Sequence, residues 1–303
     1  MGGVKVSIII PTYNRENIIG KTLKNLLQQT YSDIEIIVVD DGSSDNTLDV
    51  VSGFKESRIK YIKHSENKGA CAARNTGIRA AVGEYIMLND SDDLSSTDRV
   101  EKQLNALRRF GADICFGKYR RHGFGKRYSQ EFPDLEDGIQ EGKLLRSRNY
   151  VSATTLMAKK SVFEEVQFDE SLKMWQDYDW SVRTSIKYTY CFISDIIADV
   201  FLQNDSISLN KRETLLKTNE ILLRKYKSYY DVAPEVEAFL LDNIIMNKAF
   251  LNKDCTKECN SLLKVDKSPK RVIKALLGKT GGLKAYITIR NYWIDHGITF
   301  NKI

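Results

Sequence analysis

Asp90-Ser91-Asp92-Asp93 puts three carboxylates into four residues. Like charges so close oppose each other's ionisation, and a hard divalent cation such as Mg2+ or Mn2+ relieves that repulsion through oxygen ligands. The same residues also suit a solvated acidic turn, with Asp90 or Asp93 capping the next helix. Two other polar groups can bind rather than react. In Asp40-Asp41-Gly42-Ser43-Ser44-Asp45 a carboxylate can accept the N–H of a uracil-like base, and Gly42 permits a tight turn. In Asn67-Lys68-Gly69-Ala70-Cys71-Ala72-Ala73-Arg74 a helix N-terminus with Lys68 and Arg74 favours an anionic phosphate.

The elements that deliver these residues follow from apolar patterning. Val4–Ile10, Ile34–Val39, Ile59–Ile62 and Tyr85–Leu88 are short apolar, β-branched runs that read as buried strands. Between them Ile18, Ile19, Leu23, Leu26 and Leu27 recur at helical spacing, Thr47–Phe54 reads as a short helix, and Ala70–Ala81 as a longer one. Strand and helix alternating at this pitch specify βαβ units, a mainly parallel sheet and right-handed crossovers. Ligands then gather at the carboxyl ends of the strands. Pro11-Thr12-Tyr13-Asn14 follows the first strand, where a dinucleotide-binding fold carries its glycine-rich turn, so nicotinamide and flavin enzymes are disfavoured. Tyr13 can offer a ring to a base or simply cover the sheet edge.

Taken in order, Val6-Ser7-Ile8-Ile9-Ile10-Pro11-Thr12-Tyr13-Asn14, Val38-Val39-Asp40-Asp41-Gly42-Ser43-Ser44-Asp45, Asn67-Lys68-Gly69 with Ala73-Arg74-Asn75, and Gly83-Glu84-Tyr85-Ile86 leading into the acidic cluster resemble family 2 glycosyltransferases of the GT-A fold, of bacterial surface-polysaccharide type. The resemblance covers residues 4 to 210. It implies an α/β, Rossmann-like sheet flanked by helices, with Pro11, Tyr13 and Asp41 on the nucleotide base, Asp90 near the ribose or metal, and Asp92 on Mn2+ or Mg2+ bridging two phosphates. Met174-Trp175-Gln176-Asp177-Tyr178-Asp179-Trp180 resembles the family's Glu-Asp motif, which makes Asp177 the general base of an inverting transfer. Gln176 stands where the family usually has Glu. Asp179 is the second candidate base, capping of a helix at Tyr178 is an alternative role for Asp177, and Trp175 or Trp180 can stack on a sugar. The family's additional metal-binding His is matched by Gln203.

The implied reaction moves a sugar, UDP-linked, to a hydroxyl acceptor in polysaccharide or glycoconjugate assembly. A nucleotidyltransferase and a non-catalytic nucleotide-sugar-binding scaffold are the alternatives. The former needs a glycine-rich basic loop after the first strand, and a phosphatase of Asp-x-Asp type carries its acids on that strand. Residues 119–150, with Lys118-Tyr119-Arg120-Arg121-His122, read as a loop or β-hairpin over the site, either solvated or contacting a diphosphate or an anionic acceptor.

With 303 residues and 42% hydrophobic content, the chain accommodates a catalytic domain over 1–210 and a helical region over 211–303. Five irregularly spaced cysteines do not form a disulfide framework and suit a reducing cytoplasm. No signal peptide or membrane-spanning run is expected. From Lys264 to Ile303 there are nine Lys or Arg and two acids, so the net charge of +6 resides in this tail. Its mix of basic residues with Tyr286, Ile287, Ile289, Tyr292 and Trp293 suits peripheral contact with an anionic membrane at its inner face or an ordinary packed stripe. Nucleic acid is not expected, because no recognisable motif accompanies the charge.

Overall fold

Uninterrupted apolar runs form strands covered on both faces, and the centre of this sheet is built from them. The structure, a computed structural model, describes residues 5–123, the backbone of 126–129, and residues 135–202, 212–279 and 282. It divides into two compact units, Met1–Ser206 and Ile207–Ile303.

In the first unit, β1 (Val6–Thr12), β2 (Ile34–Asp40), β3 (Ile59–Lys63) and β4 (Tyr85–Leu88) pair in parallel in the order β3-β2-β1-β4. The described sheet continues with β5 (Leu94–Ser95), β6 (Ile114–Gly123), β7 (Lys126–Ser129), β8 (Gly138–Gln140), β9 (Met157–Lys159) and β10 (Tyr190–Phe201). β9 runs antiparallel to both β4 and β6, and β10 is parallel to β6. Two reversals restore the original direction. The carboxyl ends of β6 and β10 therefore share an edge with those of β1, β2 and β4.

Alternation along each strand splits the core into two layers. Ile8, Ile10, Ile36, Val38 and Met87 pack with Ile19, Leu23 and Leu26 of α1 (Ile19–Leu26), Val51 of α2 (Thr47–Ser52), and Val100, Leu104 and Leu107. Ile9, Ile37, Val39, Ile86 and Leu88 face the other way, against Ala73 and Ile78 of α3 (Ala70–Ala80) and the buried Phe163 and Trp180. Each such Ile, Leu, Val, Met or Phe side chain contributes roughly 1.5–3 kcal/mol by leaving water. Further helices are α4 (Arg99–Phe110), α5 (Gly142–Arg146), α6 (Lys160–Glu165) and α7 (Gln176–Thr184).

One expectation needs adjustment. Pro11 and Thr12 belong to β1 rather than to the turn after it. Pairing of β1 with β4 ends at Ile9, so Pro11, which has no N–H to give, lies beyond that ladder. Of the loop and the β-hairpin expected over 119–150, the described residues form the hairpin at its start: β6 runs on to Gly123 beside β10 and pairs antiparallel with β7.

The second unit contains α8 (Arg212–Lys225), α9 (Pro234–Phe250), α10 (Thr256–Val265) and α11 (Pro269–Lys279), packed around Leu241, Ile245, Cys259, Leu262 and Ala275. Cys255 and Cys259 are buried with sulfurs 3.8 Å apart, and all five cysteines are free thiols. Part of the basic tail is spent in ion pairs, Lys274 with Asp242 and Arg271 with Asp266. The aromatic stretch from Tyr286 onward, like Gln203, lies outside the described residues. Among those described, no helix is long and apolar enough to cross a membrane.

Gly77 sets how closely α3 lies on β1, since a Cβ there would stand 2.4 Å from Ile9 Cγ2. Gly77→Ala is expected to cost about 1–3 kcal/mol by overpacking, read as a lower urea midpoint. An unchanged midpoint would show that the helix has room to move.

Candidate active site

The acidic cluster leaves β4 through Asn89, which is fully buried. The loop after it is braced from several sides. Thr22 of α1 donates to Ser91 O (2.8 Å), Asn25 exchanges bonds with Ser95 N and O, and Asp90 N donates to Thr154 Oγ1. From behind, Arg99 uses all five of its donors: Nε to Gln103, Nη1 to Asn89 Oδ1 and Ser95 Oγ, Nη2 to the carbonyls of Leu88 and Leu156. Burial pushes its pKa down to about 9, so it stays a cation at neutral pH and stands behind Asp90 and Asp93. Sequence reasoning missed this residue. The available signal was a polar pair, Arg99 and Gln103, one turn apart on an otherwise apolar helix face.

The three acids differ. Asp93 is buried, accepts from Phe201 N at 3.1 Å, and has its pKa driven well up by burial and by the charges of Asp90 and Asp92. Asp90 is partly exposed and binds Arg74 Nη2 through Oδ1 at 2.8 Å. Asp92 lines a groove of about 220 Å3 with Asn17, Lys21, Thr22, Leu94 and Phe201. Among the described residues no group of three metal-binding side chains comes together. The donor set still suits a hard cation: Asp92 and the second oxygen of Asp90 are hard ligands at a strand end, and a diphosphate and water can supply the rest.

The loops after β1 and β2 are stitched together. Asn14 N donates to Ser43 Oγ, Arg15 N to Thr47 Oγ1 and Glu16 N to Asp45 Oδ2, and Asn14 adopts φ +51°. Tyr13 projects from this assembly with 44% of its surface exposed. Asp41 is placed otherwise than the sequence suggested. Its carboxylate is buried and accepts from Lys68 N (2.9 Å), Gly69 N (2.7 Å) and the His64 ring (2.7 Å), whose other nitrogen meets Thr76. The anion beside the start of α3 is thus the protein's own. The Lys68 side chain remains exposed.

Arg74 also departs from the expected phosphate contact. It is 6% exposed, and its two Nη atoms go to Asp90 Oδ1 and Gln176 Oε1, both at 2.8 Å, with its guanidinium 5.6 Å from the Phe168 ring centroid. It thereby joins the acidic cluster to α7. That helix starts at Gln176 after Trp175 in a left-handed conformation (φ +60°), so Asp177 lies in the first turn rather than at the cap. Asp177 Oδ1 accepts from Tyr178 N and, at 3.4 Å, from Asn149 Nδ2. Burial raises its pKa, while the Tyr178 amide and Arg74 pull it back. Asp179 is fully buried and its carboxylate is paired with Arg183 at 2.8 Å. Trp180 is core, stacked on Phe163 and Phe168, whereas Trp175 is partly exposed and edges onto Tyr178.

A family model described as Glycosyl transferase family 2 matches residues 7–166. The chain is 35% identical over 180 residues to Glycosyltransferase GlyA of Streptococcus pneumoniae, covering 54% of this chain and 26% of that protein. It is 40% identical over 114 residues to WfgD of Escherichia coli, named UDP-Glc:alpha-D-GlcNAc-diphosphoundecaprenol beta-1,3-glucosyltransferase, covering 38% and 45%. It thus spans about a quarter of one relative and under half of the other. In structure it resembles S. aureus TarS 1-349 in complex with UDP-GlcNAc, with TM-score 0.69, 18% identity and 98% and 93% of the two chains covered. The likeness shows the GT-A fold.

Arg99→Lys keeps the charge but has three donors for five acceptors, stranding at least two polar groups. It is expected to lower stability by about 2–4 kcal/mol in urea denaturation. A loss below 1 kcal/mol, taken as about the worth of one ordinary hydrogen bond, would mean that the fork does not hold the end of β4.

Proposed function

This chain belongs to glycosyl transferase family 2, and from that premise we propose that it moves a sugar from a UDP-linked donor to a hydroxyl of a carbohydrate or lipid-linked acceptor, with inversion at the anomeric carbon. The observation that carries this reading is the bridge through Arg74, which sets a half-buried carboxylate, Asp177, beside the acidic end of β4. The names of WfgD and TarS support the UDP donor, and that of WfgD the diphospholipid acceptor. Residues 1–210 carry donor binding and chemistry in this reading. The helical remainder, through its basic tail, meets the inner face of the membrane.

The donor's base lies over Tyr13 and Pro11, with the buried Asp41 holding the loop beneath and Lys68 toward the phosphates. Asp90 lies on the ribose side. Asp92 holds Mn2+ or Mg2+, which when bound offsets charge on the departing diphosphate. The acceptor hydroxyl gives its proton to Asp177 as its oxygen bonds to the anomeric carbon. The bond from that carbon to the diphosphate breaks on the opposite face, and an α-linked donor yields a β-linked product. Trp175 and Gln176 border the acceptor. A raised pKa suits Asp177 to this task, because a stronger base takes a hydroxyl proton more readily.

Asp177→Asn is expected to lower kcat by 10^2–10^4-fold while leaving UDP binding intact. Unchanged transfer would dismiss Asp177 as the base and favour a scaffold if the wild type is equally inert. Only the carboxylate form accepts a proton, so kcat/KM should fall tenfold per pH unit on the acid side, with its midpoint above the 3.8 of an ordinary aspartate. A midpoint at or below that value would contradict the desolvation seen at the site. In thermal-shift measurements with UDP-, GDP-, CMP- and dTDP-sugars, the uridine donor with Mn2+ should stabilise most, by about 2.7 kcal/mol at a hundredfold excess over Kd. A preference for another base would refute the donor assignment.

A further inference from the structure

The carboxyl end of β6 carries three adjacent basic residues, Arg120, Arg121 and His122, and one acid of β10 serves two of them. Asp199 Oδ1 lies 3.2 Å from Arg120 Nη1 and 2.5 Å from His122 Nε2, and the His122 ring stacks on Phe201. Arg121 has no such partner among the described residues. Its Nη2 makes a long contact, 3.5 Å, with the hydroxyl of Tyr119, its guanidinium lies 5.8 Å from that ring's centroid, and its Nε is buried without an acceptor. A guanidinium partly out of water with donors unused is an incomplete site.

Its position tells what completes it. Tyr119 and Arg121 are two apart on a strand and share a face. Tyr119 is buried in the layer that also holds α3 and Trp180 of α7, and its hydroxyl lies within the field of both Asp177 and Asp93. Arg121 thus stands at the carboxyl edge of the sheet, next to a hydroxyl that feels the charge of Asp177. We propose that Arg121, backed by Tyr119, grips a phosphoryl group of one of the two substrates. This rests on the glycosyl-transfer reading above. A planar fork of fixed donors matches phosphoryl oxygens bidentately, and the surrounding acids would repel a second anion unless a cation of this kind received it. The phosphoryl group belongs either to the donor's nucleoside diphosphate or to a diphosphate on a lipid acceptor, and these two sources are separable.

The test is calorimetric binding of UDP with Mn2+ and, separately, of a short isoprenyl diphosphate, to the full chain and to Arg121→Ala and Arg121→Lys. Arg120→Ala, whose guanidinium already has Asp199, sets the background. A loss of tenfold or more for UDP alone assigns Arg121 to the donor, and the same loss for the isoprenyl diphosphate alone assigns it to the acceptor. Arg121→Lys, which keeps the cation without the fork, should lose less, and it decides the matter if the alanine variant does not fold. If Arg121→Ala, or the lysine variant in that event, binds both probes within twofold of wild type, or no worse than Arg120→Ala, the proposal is overturned. If the wild type binds neither probe, the glycosyl-transfer reading falls with it.

Discussion

Arg74 reaches across 102 residues of sequence to hold Gln176 with one arm while its other arm holds Asp90. A buried guanidinium is costly unless its donors and charge are answered, so the two acceptors cannot drift from it or from each other. The acidic end of β4 and the first turn of α7 are fixed relative to one another by this group. Among the described residues Asp90 is its one directly bonded carboxylate, because Gln176 stands where a second acid would have completed its neutralisation. The unspent charge is felt by Asp177, whose half-buried carboxyl would otherwise be harder to ionise.

Behind that bridge the protein solves a second electrostatic problem. Three acids at one strand end are held against a fully buried Arg99, which touches none of them and is anchored by carbonyl, amide and hydroxyl oxygens. The cation moderates the cluster without forming an ion pair. Asp90 therefore keeps its second oxygen for another partner, while Asp93, drawn under Phe201 N, ties the cluster to β10. The two arginines divide the work: Arg74 fixes the separation of the clusters, and Arg99 allows one of them to exist.

Much of this was legible before the fold was seen. Tyr85-Ile86-Met87-Leu88 reads as a strand ending in acids because four apolar residues, too few for a helix, precede a turn, and β4 has those bounds. The stitched loops after β1 and β2 were anticipated only as a shared destination. Asp41 read as a base contact because a carboxylate at a strand end faces solvent by default, yet two backbone amides and His64 enclose it. Residues 119–150 read as a loop or a β-hairpin because Lys118-Tyr119-Arg120-Arg121-His122 is polar, and pairing of β6 with β10 and β7 decides for the hairpin at the start of that stretch.

The sequence by itself determined the order of the first four strands and the helices between them, the burial of those strands, and which residue types arrive at their carboxyl edge. Those follow from the period of apolar residues and from turn chemistry, which act over a few positions of chain. Tertiary structure alone decided which charged group answers which: Arg74 for Asp90 and Gln176, Arg99 for the carbonyls behind β4, Asp199 for Arg120 and His122 but not for Arg121. A charge is matched by whatever the fold brings within about 3 Å in a medium of low dielectric, and that neighbour is dozens of residues away in sequence.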